Sequence, residues 1–370
     1  MEEINELKSN IPQEQLFSMV NSENKITNLN KNRLLHWVIV LINICSLLLC
    51  WFIEGNKHGV VSVDIFLEVF DWKYLIFAIT LVLIILMLRS FLDFINIYRS
   101  CKRRCFRVLF VANSKMDFYN FVTSYSYGGN VVYLNYLGNG GVSQNESINS
   151  LYCKKVFSRI SNCIYSLCFL LIGLFLFAKT TNIFLFVIAI LTFLFNCLWV
   201  ITVFLFNTQR EKIMSITASI CKILFKLRLI RDYERVFKLV NHKLYVANYN
   251  LRVSGKVSIV YIILNIIRQF MRHFILFVLL QMMNNGSCEI LFEILFKCAI
   301  LDLIVLASPL PYGTALYELV FVILFRNVFD IGYVLWAMVL YRLLDYFIYI
   351  LIYVFMCIFN KKNKNCSLKK

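Results

Sequence analysis

The chain is predicted to fold as an all-α, polytopic membrane helix bundle with about six full spans and two re-entrant broken-helix hairpins. Three observations lead there. Of its 370 residues 60% are hydrophobic, 34 are Phe and only 16% are charged, which is more apolar surface than one soluble core can bury. Six apolar runs, at 34–53, 74–97, 160–178, 183–206, 257–283 and 331–359, reach the roughly 20 residues a bilayer crossing needs. Helix breakers gather in two further apolar regions, 118–150 and 290–325, each long enough to enter the membrane and turn back.

Residues 1–33 form a polar tail rich in Asn, Lys and Glu. No short basic region leads to a cleavage site, so the first span serves as the targeting signal. In the second span, Arg89 stands close enough to the cytoplasmic end to snorkel. The first broken region contains GGNVVYLNYLGNGG, where five of the twelve glycines fall within one stretch: Gly128, Gly129, Gly138, Gly140 and Gly141.

The longest loop, 207–256, places Ile213, Ile216, Ile220, Ile223, Leu224 and Leu227 at helical spacing, with Lys212, Lys222, Lys226 and Arg228 interleaved. This pattern predicts an amphipathic helix lying on the cytoplasmic leaflet. In the fifth span, Asn265, Arg268 and Arg272 share one helical face, the two cations roughly 16 and 22 Å into the helix at 1.5 Å per residue. A cation at that depth costs at least about 2.5–3.5 kcal/mol, so each must face the bundle interior and find a partner.

The second broken region holds SPLPYGTALYE at 308–318, with Pro309, Pro311 and Gly313 ending one half-helix and opening the next. Glu318 lies on the second arm and Asp302 on the first, where Arg268 or Arg272 could neutralise it. The last span carries Arg342, Tyr346, Tyr349 and Tyr353 as an i, i+4, i+7, i+11 stripe, with Asp345 beside it. Helical rise leaves roughly 8 Å between the depths of Glu318 and Arg342, within reach of a leaning arginine, so the two are predicted to pair. In the alternative, Arg342 and Asp345 neutralise each other at i, i+3. The chain closes with a basic tail, 360–370.

Charge distribution supplies the orientation. The tail before the first span, 98–117, 151–159, 207–256 and 360–370 carry 4, 6, 3, 11 and 5 Lys or Arg, which is 29 of the 38. Six spans and two re-entrant hairpins put all five segments on one side, the cytoplasm by the positive-inside rule. Both termini are then cytoplasmic, and the opposite loops keep only Lys57, Lys73, Lys179, Lys297 and Arg326. The net charge of +17 is explained by basic loops against anionic headgroups, with no need of nucleic acid.

The 13 cysteines are scattered through apolar runs as small hydrophobes. Cys101 and Cys105 stand one turn apart but have no histidine or acid to complete a zinc site, so no metal is expected. No GxxxxGK[ST] loop is present and no cofactor is expected.

These motifs resemble a known family. Residues 309–318 (PLPYGTALYE) are similar to the PxPGGxGxxE segment of the lysylphosphatidylglycerol synthase transmembrane, or flippase-like, family. Arg342 in YRLLDYFIY matches the family's YRLxxY segment in the final helix. Asn135 to Gly141 (NYLGNGG) resembles the Asn-, Pro- and Gly-containing turn of its first broken segment. Tyr312 and Ala315 replace two motif glycines, Gly138 stands where a proline is usual, and Gln144 or Asn145 stands where a basic residue often follows.

The resemblance covers about 34–359 and implies movement of anionic, aminoacylated or polyprenyl-linked lipids between leaflets of the cell membrane. Candidate path residues are Glu318, Arg342, Arg268, Arg272, Asp302, Asp345, Asn135, Tyr346 and Tyr349. The family's soluble aminoacyl-transferase domain has no counterpart, so the expectation is a transporter rather than an enzyme. Protein partners would be a second copy of the chain or a separate lipid-modifying enzyme. The competing classes are a multi-pass receptor, an accessory membrane protein without transport, a membrane-embedded lipid-modifying enzyme, and a bundle whose buried charges merely pair. Against the enzyme, the histidines at 36, 58, 242 and 273 show no metal-ligand spacing.

Overall fold

The computed structural model describes residues 33–101, 106–122, 127–177, 182–206, 209–226, 232–283, 290–308, 313, 315–329, 332–348 and 351–352. They are almost entirely helical. In chain order the helices are α1 (Arg33–His58), α2 (Val63–Val69), α3 (Trp72–Cys101), α4 (Phe106–Val122), α5 (Tyr127–Asn139), α6 (Gln144–Leu176), α7 (Ile183–Leu205), α8 (Arg210–Lys226), α9 (Tyr233–Met282), α10 (Ile290–Leu306), α11 (Leu316–Phe325) and α12 (Val334–Arg342). A π-turn, Leu343–Phe347, continues α12. Both polar tails lie outside the described residues.

Four helices contain stretches long and apolar enough to cross a membrane, over Trp72–Ile97, Glu146–Leu176, Ile183–Leu205 and Ser258–Met282. The first of the expected six is α1, 26 residues long with an apolar stretch at Ile44–Ile53. The last, expected over 331–359, is described over 332–348 and 351–352. Ile183, Phe184 and Phe195 of α7 are among the most exposed apolar side chains, as suits a helix that faces lipid.

The second broken region, 290–325, forms a helical hairpin; the first hairpin starts earlier than the expected 118–150, at Phe106, and the last part of that stretch opens α6. α4 packs along α5, and α10 along α11. With 17 and 13 residues in one hairpin and 17 and 10 in the other, the arms run about 15–26 Å, short of the roughly 30 Å hydrocarbon core.

The glycines divide the work differently from their predicted role as helix breaks. Gly128, Gly129 and Gly138 are helical residues of α5. A Cβ on Gly129 would meet Asn120 Oδ1 at 2.0 Å and the Met116 carbonyl oxygen at 2.3 Å, so this glycine allows α4 and α5 to touch. The turn from α5 into α6 belongs to Gly140 and Gly141. Gly141 has φ +82°, its N–H donates to the Gly138 carbonyl at 3.0 Å, and the Val142 N–H to that of Leu137 at 3.1 Å. This left-handed closure satisfies the last carbonyls of α5 and buries Val142 against Leu137. Ser143 and Glu146 then cap the start of α6 reciprocally.

α9 is the axis of the fold, 50 residues without a break. It packs against α3, α6, α7, α10 and α12 in the bundle and against α8 beyond it. The α8 helix lies where an amphipathic helix was expected. Ile213 and Cys221 are buried, while Ile216, Ile220 and Ile223 form an exposed apolar stripe. Lys297, expected in a loop, is fully buried within α10, its ammonium 2.7 Å from Glu293 one turn earlier. The apolar run around it keeps this stretch helical, and the carboxylate one turn earlier offsets the buried charge.

Candidate functional site

The buried charges of α9, α10, α11 and α12 converge. α11 starts at Leu316, five residues after Pro311, so Glu318 falls in its first turn, where the helix dipole favours an anion. Pro309 and Pro311 lie outside the described residues. Gly313 has φ +70° and Ala315, at the N-cap, φ +66°. Ala315 thus keeps a backbone conformation suited to the glycine that the motif would place there. Its Cβ makes this cost about 1–2 kcal/mol, and Ala315→Gly is expected to stabilise the protein by about 1 kcal/mol in thermal unfolding; no gain would mean the strain is relieved elsewhere.

Glu318 and Arg342 are 3% and 4% exposed. Arg342 donates from Nε to Glu318 Oε1 at 2.9 Å, with Nη2 at 2.7 Å. The Arg342 guanidinium lies 3.6 Å from the centre of the Tyr317 ring. The predicted pair therefore forms.

Asp345 does not neutralise Arg342. The π-turn carries it toward α9, where Arg272 donates from Nε to Oδ1 at 3.0 Å and from Nη2 to Oδ2 at 3.1 Å. The π-turn also adds a residue to the last span, with the Ile348 N–H donating to the Leu343 carbonyl. The Tyr346 side chain and Tyr349 lie outside the described residues.

Of the two arginines considered for Asp302, Arg272 takes it, Nη1 to Oδ2 at 3.5 Å. Arg268 instead donates to Asn265 Oδ1 at 2.8 Å. The second partner of Asp302 is His273, which sequence reasoning missed. This ring is 1% exposed, with Nε2 2.9 Å from Asp302 Oδ2 and Nδ1 2.8 Å from the hydroxyl of Tyr165 on α6. The result is one polar line, Tyr165–His273–Asp302–Arg272–Asp345, beside the Glu318–Arg342 pair. Three carboxylates face two guanidiniums and a histidine.

A second centre was also missed, between α3, α4, α5 and α6. Lys154 Nζ is 2.8 Å from Asp93 Oδ2 and 2.6 Å from Asn113 Oδ1, and the Tyr133 hydroxyl donates to Asp93 Oδ2 at 3.3 Å. Arg89, rather than snorkelling, pairs with Asp117 on α4. Asn135 belongs to neither centre and is exposed on α5.

A family model described as "Lysylphosphatidylglycerol synthase TM region" matches residues 35–352. The chain belongs to this family. As a lysylphosphatidylglycerol synthase TM-region protein it is a membrane protein related to lipid metabolism or translocation, and the match takes in both hairpins and both polar centres. No curated protein and no solved structure matches it.

Proposed function

We propose that this protein is a lipid translocase of the cell membrane, with both termini cytoplasmic, that moves a polar or charged headgroup between leaflets while the acyl chains stay in the bilayer. The observation that carries this reading is the line of buried and half-buried charges where the second hairpin meets α9 and α12. Ionisable side chains at membrane depth are costly to keep unless they serve a path, and non-helical backbone is tolerated there where protein or a water-filled cavity covers it. Paired segments of this kind are the best pointer to a transporter's binding region.

Arg342 and Arg272 would offset a lipid phosphate, while Glu318, Asp345 and Asp302 hold the arginines when no headgroup is bound or accept a cationic aminoacyl group. The substrates that fit are anionic, aminoacylated or polyprenyl-linked lipids, supplied by a separate lipid-modifying enzyme. Nothing in this chemistry requires a nucleotide, a metal or an enzymatic step by this chain.

Reconstitution tests the reading. Labelled anionic and aminoacylated lipids are placed in proteoliposomes and leaflet access is followed by quenching. Wild type is expected to move at least one of them, and Arg272→Gln with Asp345→Asn, a charge-balanced change, to reduce the rate at least 10-fold with assembly intact. No lipid movement by wild type under any gradient would turn the reading toward a receptor or an accessory protein.

A further inference from the structure

The charges around the second hairpin do not cancel. Asp302, Asp345 and Glu318 face Arg272 and Arg342, which leaves one negative charge in excess. Arg268, one turn along α9, is engaged by Asn265. An uncompensated charge at membrane depth is costly. The group of this cluster that ordinarily changes charge near neutral pH is His273. Its ring is 1% exposed, with Nε2 2.9 Å from Asp302 Oδ2 and Nδ1 2.8 Å from the Tyr165 hydroxyl. Around it stand Arg272 and Gln269 on its own helix, Cys298 on α10, Tyr317 on α11 and Tyr341 on α12. Of these only Arg272 is a cation, and it is already counted.

Both charge states of the ring fit without the loss of a hydrogen bond. In the neutral ring Nε2–H donates to Asp302, and Nδ1 accepts from the Tyr165 hydroxyl. Protonation adds one N–H bond at Nδ1, and the Tyr165 oxygen, an acceptor as well as a donor, turns to receive it. Hydronium gives the proton and water is left behind, so no other reagent is used. The side chains of Asp302 and Arg272 are 21% and 29% exposed, which keeps that end of the line in reach of water while the ring itself is enclosed.

We propose that His273 is a proton site and that this protein exchanges a proton for a lipid: the proton leaves His273 as a cationic headgroup enters, and returns as it departs. The exchange rests on the translocase reading; the proton site rests on the charge count and the ring geometry. Glu318 Oε2 and Gln269 Oε1 are buried acceptors with no hydrogen-bond partner among the described residues. They call for a donor. An ammonium group brings both the donors and the missing positive charge, so it and the proton on His273 are held one at a time. The ligand class is a headgroup of net single positive charge, and the exchange moves no net charge.

Two measurements on the full chain separate the proton site from transport. In detergent, binding of dioctanoyl-lysylphosphatidylglycerol is followed by titration calorimetry in two buffers of different ionisation enthalpy. At about pH 5.5, where an imidazole is ordinarily charged, wild type is expected to release about one proton per lipid more than His273→Gln. In proteoliposomes, a gradient of about one pH unit should hold the labelled lipid about tenfold enriched in the leaflet on the acidic side, since one proton per lipid makes each unit a factor of ten. An imposed membrane potential should leave that ratio unchanged. Asp302→Asn keeps the ring but removes the excess negative charge, so it and His273→Gln should each give an even distribution with assembly intact.

No proton released by wild type, or the same release from His273→Gln, would overturn the proton site. An even distribution in a wild type that does move the lipid would overturn the exchange and keep the translocase. Proton release by a wild type that moves no lipid would keep the site and reject the translocase. Equal release on adding lysinamide at the same concentration would reassign the ligand to a free amine.

Discussion

Arg342→Met alone is expected to cost the fold about 3–5 kcal/mol, because it leaves the Glu318 carboxylate buried and uncompensated. Glu318 is 3% exposed and takes both contacts from Arg342 through one oxygen. Glu318→Gln alone should be less damaging, since the amide oxygen can still accept from the guanidinium while the stranded charge rests over the Tyr317 ring. Glu318→Gln/Arg342→Met should unfold close to wild type, because replacing a whole buried ion pair by groups of similar volume is often neutral. The double variant should nevertheless lose lipid movement, as the path has lost the two charges of this pair. Thermal unfolding in detergent, beside the leaflet-access assay, reads both quantities. If the double variant were as unstable as Arg342→Met, the instability would not come from an unpaired charge. If it moved lipid normally, the pair would be structural only.

The second large effect lies at Gly129. Adding one methyl group there places it 2.0 Å from Asn120 Oδ1 and 2.3 Å from the Met116 carbonyl. The amide can swing away but the backbone of α4 cannot, so Gly129→Ala must push the two arms of the hairpin apart. Overpacking of this kind costs about 1–3 kcal/mol, at times more. Gly138 provides the control on the same helix. Nothing lies within 4 Å of its would-be Cβ, and Ala inside a helix is favoured over Gly by about 0.5–1 kcal/mol. Gly129→Ala should therefore lower the unfolding temperature and Gly138→Ala should leave it unchanged or raise it. Equal effects at the two positions would mean that the α4–α5 contact is not close-packed.

The Glu318–Arg342 pair was legible in the sequence because depth along a helix can be counted from residue number, and both charges sit deep in apolar runs. The second hairpin was legible from the clustering of Pro and Gly, and α8 from its period, whereas the glycines of the first lie within and after its second arm and do not mark where the hairpin begins. The Lys154 centre was not, because the apolar run of the third span begins at 160 and leaves Lys154 and Lys155 among the basic residues before it. The Ser143-x-x-Glu146 capping box was the missed signal, since it starts the helix at Gln144 and carries Lys154 nearly three turns inside.

His273 carried no signal of its own, because a single histidine in an apolar run has no spacing that names Tyr165 and Asp302 as neighbours. Asp345 was placed beside Arg342 by sequence spacing, but the π-turn aims it at Arg272 instead. Gly128 and Gly129 do not break the helix, and composition alone does not distinguish a glycine that bends a helix from one that lets two helices touch.

The unbroken length of α9 has a mechanical consequence. Its 50 residues make a rod about 75 Å long, of which only the part from Ser258 onward lies in an apolar span. One half is gripped by α8 through Thr217–Asn241 and the packing of Ile213 with Leu244. The other half carries Arg272 and His273. Because α9 has no break, α8 and the charges at Arg272 and His273 are held by one and the same rigid helix, with no hinge between them.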